Sequence, residues 1–215
     1  TLQQLAMRLL CKLLRFSKNN DANIQPHVLI SALQMFPNDV AIAESTLLLL
    51  CDRIHYESIR QQLVPTNYIA VVVKTVTYFV SPPEPNIATL RTRETIADTG
   101  IRILLAYLLH ADDQKIDAFP LDSIKSCFVS AFDNFSGNVK GDESHSTIGK
   151  SLVAAFTKLL SVQSTAARLA ELADLVTAKR IIEVMKRYPE DPRVSEAHLF
   201  LRSFDCIGSP MFTTN

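Results

Sequence analysis

The sequence has few residues of several types, and each shortage excludes a class of protein. Among 215 residues there is no tryptophan, and only 5 are glycine and 4 are cysteine. The cysteines lie at least 40 residues apart, so the short spacings of zinc sites and redox pairs are absent. We therefore predict reduced, buried thiols at Cys11, Cys51, Cys127 and Cys206. Such a pattern is typical of the cytoplasm, with the nucleus as the alternative compartment.

The chain has no excess of charge of either sign. Lys plus Arg number 22 and Asp plus Glu also number 22, so the formal net charge is zero. A general binder of nucleic acids or membrane surfaces needs a basic excess, and we predict neither activity. No apolar run approaches the ~18 residues of a membrane span. Because the first residue is Thr1, we expect a fragment of a longer protein. The sequence does not indicate an oligomeric state.

Helical periodicity dominates what is present. With 47% hydrophobic residues, a chain of this length can bury a large core. Leucine and isoleucine recur at intervals of three and four residues, which places them on one side of a helix, in the segments 2–14, 96–108 and 148–160. The valine-rich run 69–76 is also at helical spacing and predicts a buried helix. Asn38 or Asp39 is expected to cap a helix over 40–55, and Asp122 one over 123–135, because a short side-chain oxygen satisfies unpaired N–H groups there.

An internal repeat organises the chain as one domain over residues 1–215. Residues 30–53 align with 182–205 without a gap, each copy having an apolar helix, an aromatic-Pro turn, an acid and a longer apolar helix. Two more copies of the longer helix are recognised at residues 96–98 and 148–150, and a fifth lies at the start of the chain, at residues 2–4. Loops at 81–86 and 137–145 are inserted between repeats. The equivalent register residues are Gln4, Glu44, Asp98, Lys150 and Glu196.

The pattern after the Pro-x-Asp turn, in 42–49 and 194–201, resembles the third helix of armadillo repeats, with HEAT repeats as the related alternative. This resemblance implies an all-α, right-handed superhelical solenoid of about four to five repeats. Residues 58–63, 114–118 and 164–173 would then be the short first helices. It also implies a non-enzymatic scaffold or adaptor that recognises an extended or helical segment of a partner protein. The binding surface would be the concave groove of stacked third helices.

Counting from the register residues assigns this groove. Its candidate residues are Arg8, Lys12, Arg15, Leu48, Cys51, Arg102, Lys158, Phe200 and Ser203. Armadillo arrays that carry nuclear-import signals use rows of Trp and Asn, and neither residue occurs in the matching rows here. That chemistry therefore does not carry over. The alternative function is a docking or regulatory domain of a small-GTPase or kinase regulator.

No motif predicts catalysis, a cofactor or a metal. Gly149-Lys150-Ser151 lacks the glycine five residues earlier that a phosphate-binding loop requires, and no strand precedes it. Cys51 and His55 are four residues apart and could form a nucleophile and base, but an orienting acid and oxyanion glycines are missing. No two histidines have the spacing of a helical metal pair. We therefore expect that the protein is not an enzyme.

Overall fold

The structure is a computed structural model, and it describes residues 2–16, 25–63, 66–82, 87–110, 121–135, 148, 151–152, 154–155 and 186. This part of the chain is helical and contains no strand, which confirms the all-α class. Seven helices can be delimited in it: α1 (Leu2–Phe16), α2 (Pro26–Met35), α3 (Val40–Arg53), α4 (Glu57–Leu63), α5 (Tyr68–Val80), α6 (Leu90–His110) and α7 (Leu121–Phe135).

The helices pack in two rows. In one row α1 lies against α3 and α3 against α6; in the other, α2 lies against α5 and α5 against α7. The rows are joined where α2 packs on α3, α5 on α6 and α6 on α7. The short α4 contacts α2 and is bent by 86° from α5. Each helix of a row therefore packs on its neighbours in that row, and α2, α3, α5, α6 and α7 also pack on helices of the other row.

The core lies between the rows, and α5 and α6 contribute most to it. The apolar run predicted as a buried helix is α5, in which Val72, Val76 and Phe79 have no exposed surface. Leu47 of α3 and Ile101 of α6 are also fully buried. Burying such side chains removes ~1.5–3 kcal/mol of unfavourable hydration each, which is why this layer holds the helices together.

Several backbone N–H and C=O groups at helix ends are hydrogen-bonded by side chains. Asp39 is the N-cap of α3, as predicted, because its carboxylate accepts from the backbone N–H groups of Ala41 and Ile42. At the other end of α3, Arg60 donates to two carbonyl oxygens that the helix leaves unpaired. Arg93 of α6 does the same for α5, donating to the carbonyls of Phe79 and Val80 at 2.8 and 2.6 Å.

A glycine sets the approach of α5 to α6. A Cβ on Gly100 would lie 2.1 Å from a methyl carbon of Val76, far inside van der Waals contact. Glycine costs ~1 kcal/mol relative to alanine within a helix. Here the absence of a side chain on Gly100 permits the close packing of α5 on α6, which joins the two rows.

Two helix boundaries differ from expectation, and one is the end of α3, which lies at Arg53 rather than at residue 55. α7 begins at Leu121, so Asp122 lies in its first turn and is not the N-cap. Of the leucines of α1, Leu2, Leu5, Leu9 and Leu10 are exposed. Gln4 and Arg8 of the same helix bond to Asp39, the N-cap of α3. Residues 83–86 and 137–145, the segments 114–118 and 164–173, and the second repeat copy lie outside the described residues.

Candidate functional site

The row of α1, α3 and α6 presents the surface that the sequence assigned to a binding groove. Because α3 has α1 and α6 on its two flanks and α2 beneath it, its remaining side is open to solvent. Leu48 lies half-buried on that side. Arg8 and Arg102, at the equivalent register of the two flanking helices, are exposed. We call the exposed and half-buried positions Arg8, Lys12, Leu48, Asp52 and Arg102 of these three helices the open face.

Arg8 is held by a contact that the sequence analysis did not foresee. Its Nε donates to Oδ2 of Asp39 at 2.7 Å, and the Nε2 of Gln4 donates to the same oxygen at 2.6 Å. The Asp39 side chain is 1% exposed and that of Arg8 46%. One carboxylate thus caps α3 and attaches α1 to it. The missed signal is the pair of polar residues, four apart, on the side of α1 away from its leucines.

Hydrogen bonding determines the ionisation of Asp39. Burial alone raises the pKa of its carboxyl, but the hydrogen bonds from Arg8, Gln4 and Ile42, together with the Arg8 charge, outweigh burial and lower the pKa below its ordinary value. The carboxylate is therefore charged at neutral pH. This cluster is a structural connection, and the exposed half of the Arg8 side chain is what remains available to a ligand.

Cys51 is buried, 3% exposed, beneath the open face. Removal from water raises the pKa of its thiol; Asp52 and Asp98 raise it further, and the Arg102 charge lowers it in part. A thiol in this state is a poor nucleophile. His55 lies exposed in the turn after α3. The pair therefore gives no support to cysteine-based catalysis.

Charges of both signs lie on the open face. Lys12 and Asp52, eight residues on from the register positions of α1 and α3, are both exposed. Asp98 is half-buried, and its Oδ1 is buried with no hydrogen-bond partner among the described residues. Arg102 is one turn further along α6 and exposed. Such a surface favours a ligand with apolar and ionic groups of both signs over a purely acidic one.

Part of the predicted groove cannot be placed. Lys158, Phe200 and Ser203 lie outside the described residues, as does the side chain of Arg15. Ser151, from the glycine-lysine-serine motif, is helical and 2% exposed.

A second concavity lies on the other row and was missed by the sequence analysis. It has a volume of about 650 Å³ and lies between the α2–α3 turn, α5 and α7. Its lining combines an apolar floor with hydroxyl, amide and ammonium groups, from Pro37, Asn38, Val73, Lys74, Thr77, Tyr78, Ser123 and Ser126. Because these residues are spread over 90 positions of the chain, periodicity within one segment could not reveal it.

The described residues contain no group of three or more His, Cys, Asp or Glu side chains that could hold a metal ion. Within the same ranges no single helix has the length and apolarity needed to cross a membrane; α4 and α5 pass that test only jointly, and they are bent by 86°.

Comparison of the chain with protein-family models, with curated proteins and with solved structures finds no match.

Proposed function

We propose that the protein is a non-enzymatic binding scaffold built as an armadillo-like solenoid, and that its open face binds an extended or helical segment of a partner protein. One observation carries the proposal. Three helices from separate parts of the chain stack in one row, and their equivalent positions Arg8, Leu48 and Arg102 all lie at the surface. A surface that recurs from helix to helix suits a ligand that runs across the row.

The helix order supports the repeat interpretation. A pair, α2 and α3, is followed by the triplet α4, α5 and α6, in which the short first helix is bent sharply from the second. The next second-row helix, α7, packs on α5. Residues 148, 151–152 and 154–155 are helical where the following third helix is predicted, and Ile148 and Leu152 are fully buried. This order is the one expected of an array in which each repeat adds one helix to each row.

Binding energy would come from a few anchors on the open face. Leu48 offers a half-buried apolar contact on α3. Arg102 suits an anchor because its planar guanidinium pairs with carboxylates and stacks on aromatic rings. Arg8 contributes less, since its Nε already donates to Asp39.

The experiment compares charge reversals on the two rows. The chain is used to capture partners from cell extract, and the captured protein is then titrated against Arg102→Glu and, as the control, Lys74→Glu. Both side chains are exposed, but Lys74 lies on α5 in the other row. We expect Arg102→Glu to weaken binding by ~1–4 kcal/mol and Lys74→Glu to leave it unchanged. Arg8→Glu is unsuitable because it would place a second carboxylate against Asp39.

The opposite result, loss of binding with Lys74→Glu alone, would move the binding site to the 650 Å³ concavity and refute the open-face proposal. Repeating the capture with GDP and with a non-hydrolysable GTP analogue identifies a nucleotide-dependent GTPase partner, which would support the alternative regulatory role.

A further inference from the structure

One side of α1 carries large apolar side chains that no described element covers. Leu2 is 84% exposed, and Leu5 and Leu9 are each 54% exposed. These residues are three and four apart, so they form one continuous stripe along the helix. The helix meets α3 through the opposite side, where Gln4 and Arg8 bond to Asp39. An uncovered apolar stripe of this kind marks an interaction site in a folded protein.

The stripe adjoins a groove between α1 and the end of α2. This groove has a volume of about 280 Å³ and is lined by Gln3, Ala6, Met7, Leu10, Met35 and Phe36. Leu10 is also exposed beside the leucine stripe, so stripe and groove form one surface, which we call the leucine surface. Met35 is 58% exposed. Methionine side chains are flexible and polarisable and adapt to apolar partners of different shape.

The exposed charged side chains described on α1, Arg8 and Lys12, are both basic. α1 contains Arg8, Lys12 and Arg15 and no acidic residue, and α2 contains no acidic residue either. Asp39 neutralises the Arg8 charge, whereas Lys12 is exposed one turn beyond Leu9. A ligand with acidic groups beside its apolar atoms therefore complements this surface, and a second copy of the same surface does not.

We propose that the leucine surface binds an amphipathic α-helix of a partner protein whose apolar stripe is flanked by Asp or Glu. A ridge of leucines beside a concave apolar groove matches the ridge and groove of a helix. The carboxylates of the bound helix would pair with Lys12. This surface differs from the Leu48–Arg102 part of the open face, and the proposal does not depend on binding there.

The test uses a synthetic, fluorescent helical peptide of roughly five turns, with leucines at intervals of three and four and glutamates on both flanks. Its Kd for the whole chain is measured by anisotropy. We expect Leu5→Glu and Leu9→Glu each to raise the Kd about tenfold or more, as loss of an apolar anchor does. Lys12→Glu should raise it less and reduce its dependence on salt. Leu109→Glu, at a leucine of α6 that is 51% exposed, is the matched control and should leave the Kd unchanged.

A second peptide with lysine in place of every glutamate checks the charge. Equal binding of both peptides, or binding that survives Leu5→Glu, overturns the proposal. So does absence of binding by the glutamate peptide. Tighter association with phosphatidylcholine–phosphatidylserine vesicles than with the peptide would assign the surface to a bilayer. A dimer in sedimentation velocity that Leu9→Glu abolishes would assign it to a second copy. Circular dichroism confirms that each variant keeps its helix content.

Discussion

Asp39 caps α3 with one carboxylate oxygen and binds α1 with the other. Substitutions at this position can therefore test the two contacts separately. The Oδ1 of Asp39 caps α3, and its Oδ2 accepts from Gln4 and Arg8 of α1. Asp39→Ala removes both roles, whereas Asp39→Ser keeps a side-chain oxygen for the cap but cannot reach α1. A lost cap costs ~1 kcal/mol. The bonds to α1 contribute ~1–2 kcal/mol, at the low end for charged groups because Arg8 is half exposed.

We therefore expect the free energy of unfolding at pH 7, measured by urea denaturation, to fall by about 2–3 kcal/mol in Asp39→Ala and about 1–2 kcal/mol in Asp39→Ser. Hydrogen exchange adds a local readout. Protection of the α1 amides should be lost in both variants, because both detach α1 from α3. Retained α1 protection in Asp39→Ser, together with wild-type stability, would refute the inference that this carboxylate attaches α1.

The same cluster predicts a dependence on pH. The folded-state pKa of Asp39 is lowered, so its stabilising contribution is fully present above the ordinary carboxyl pKa of about 4. It is lost as pH falls through the folded-state value. The stability difference between wild type and Asp39→Ser should therefore be constant from pH 7 to about 5 and shrink below about 4. A difference that grows on acidification would contradict this sign.

Three further predictions concern the core. Leu49→Ala should lower the free energy of unfolding by ~2–5 kcal/mol, because Leu49 is buried. Leu48→Ala, at the half-buried neighbouring position, should lower it by clearly less. Equal losses in urea denaturation would contradict the assigned faces of α3. Gly100→Ala should lower the free energy of unfolding by ~1–3 kcal/mol, because the added methyl group clashes with Val76. Adding Val76→Ala to this variant should restore part of the lost stability. A Gly100→Ala variant more stable than wild type would contradict the close packing of α5 on α6. Iodoacetamide at pH 8 should label Cys51 only after unfolding in urea, by peptide mass spectrometry, because burial keeps its thiol protonated.

Local patterns in the sequence were sufficient for several elements. Asn38 and Asp39 before an apolar helix predicted a cap for α3, because capping involves only the next three residues, and Asp39 is the one that provides it. The valine-rich α5 was predicted as a buried helix because it is apolar on nearly every side and must be covered whatever the arrangement. Spacing also placed Leu48 and Arg102 on equivalent sides of their helices, and both are at least partly exposed there.

The tertiary structure decided which side of each helix is covered. Periodicity shows that α1 has a leucine side, but whether that side is buried depends on how α1 docks, and Gln4 and Arg8 dock it through the opposite side. The burial of Cys51, which spacing assigned to the groove, likewise depends on α6 packing against α3. The concavity at Lys74 joins three elements distant in sequence. Such contacts depend on the relative positions of whole helices, and a local pattern carries no information about those positions.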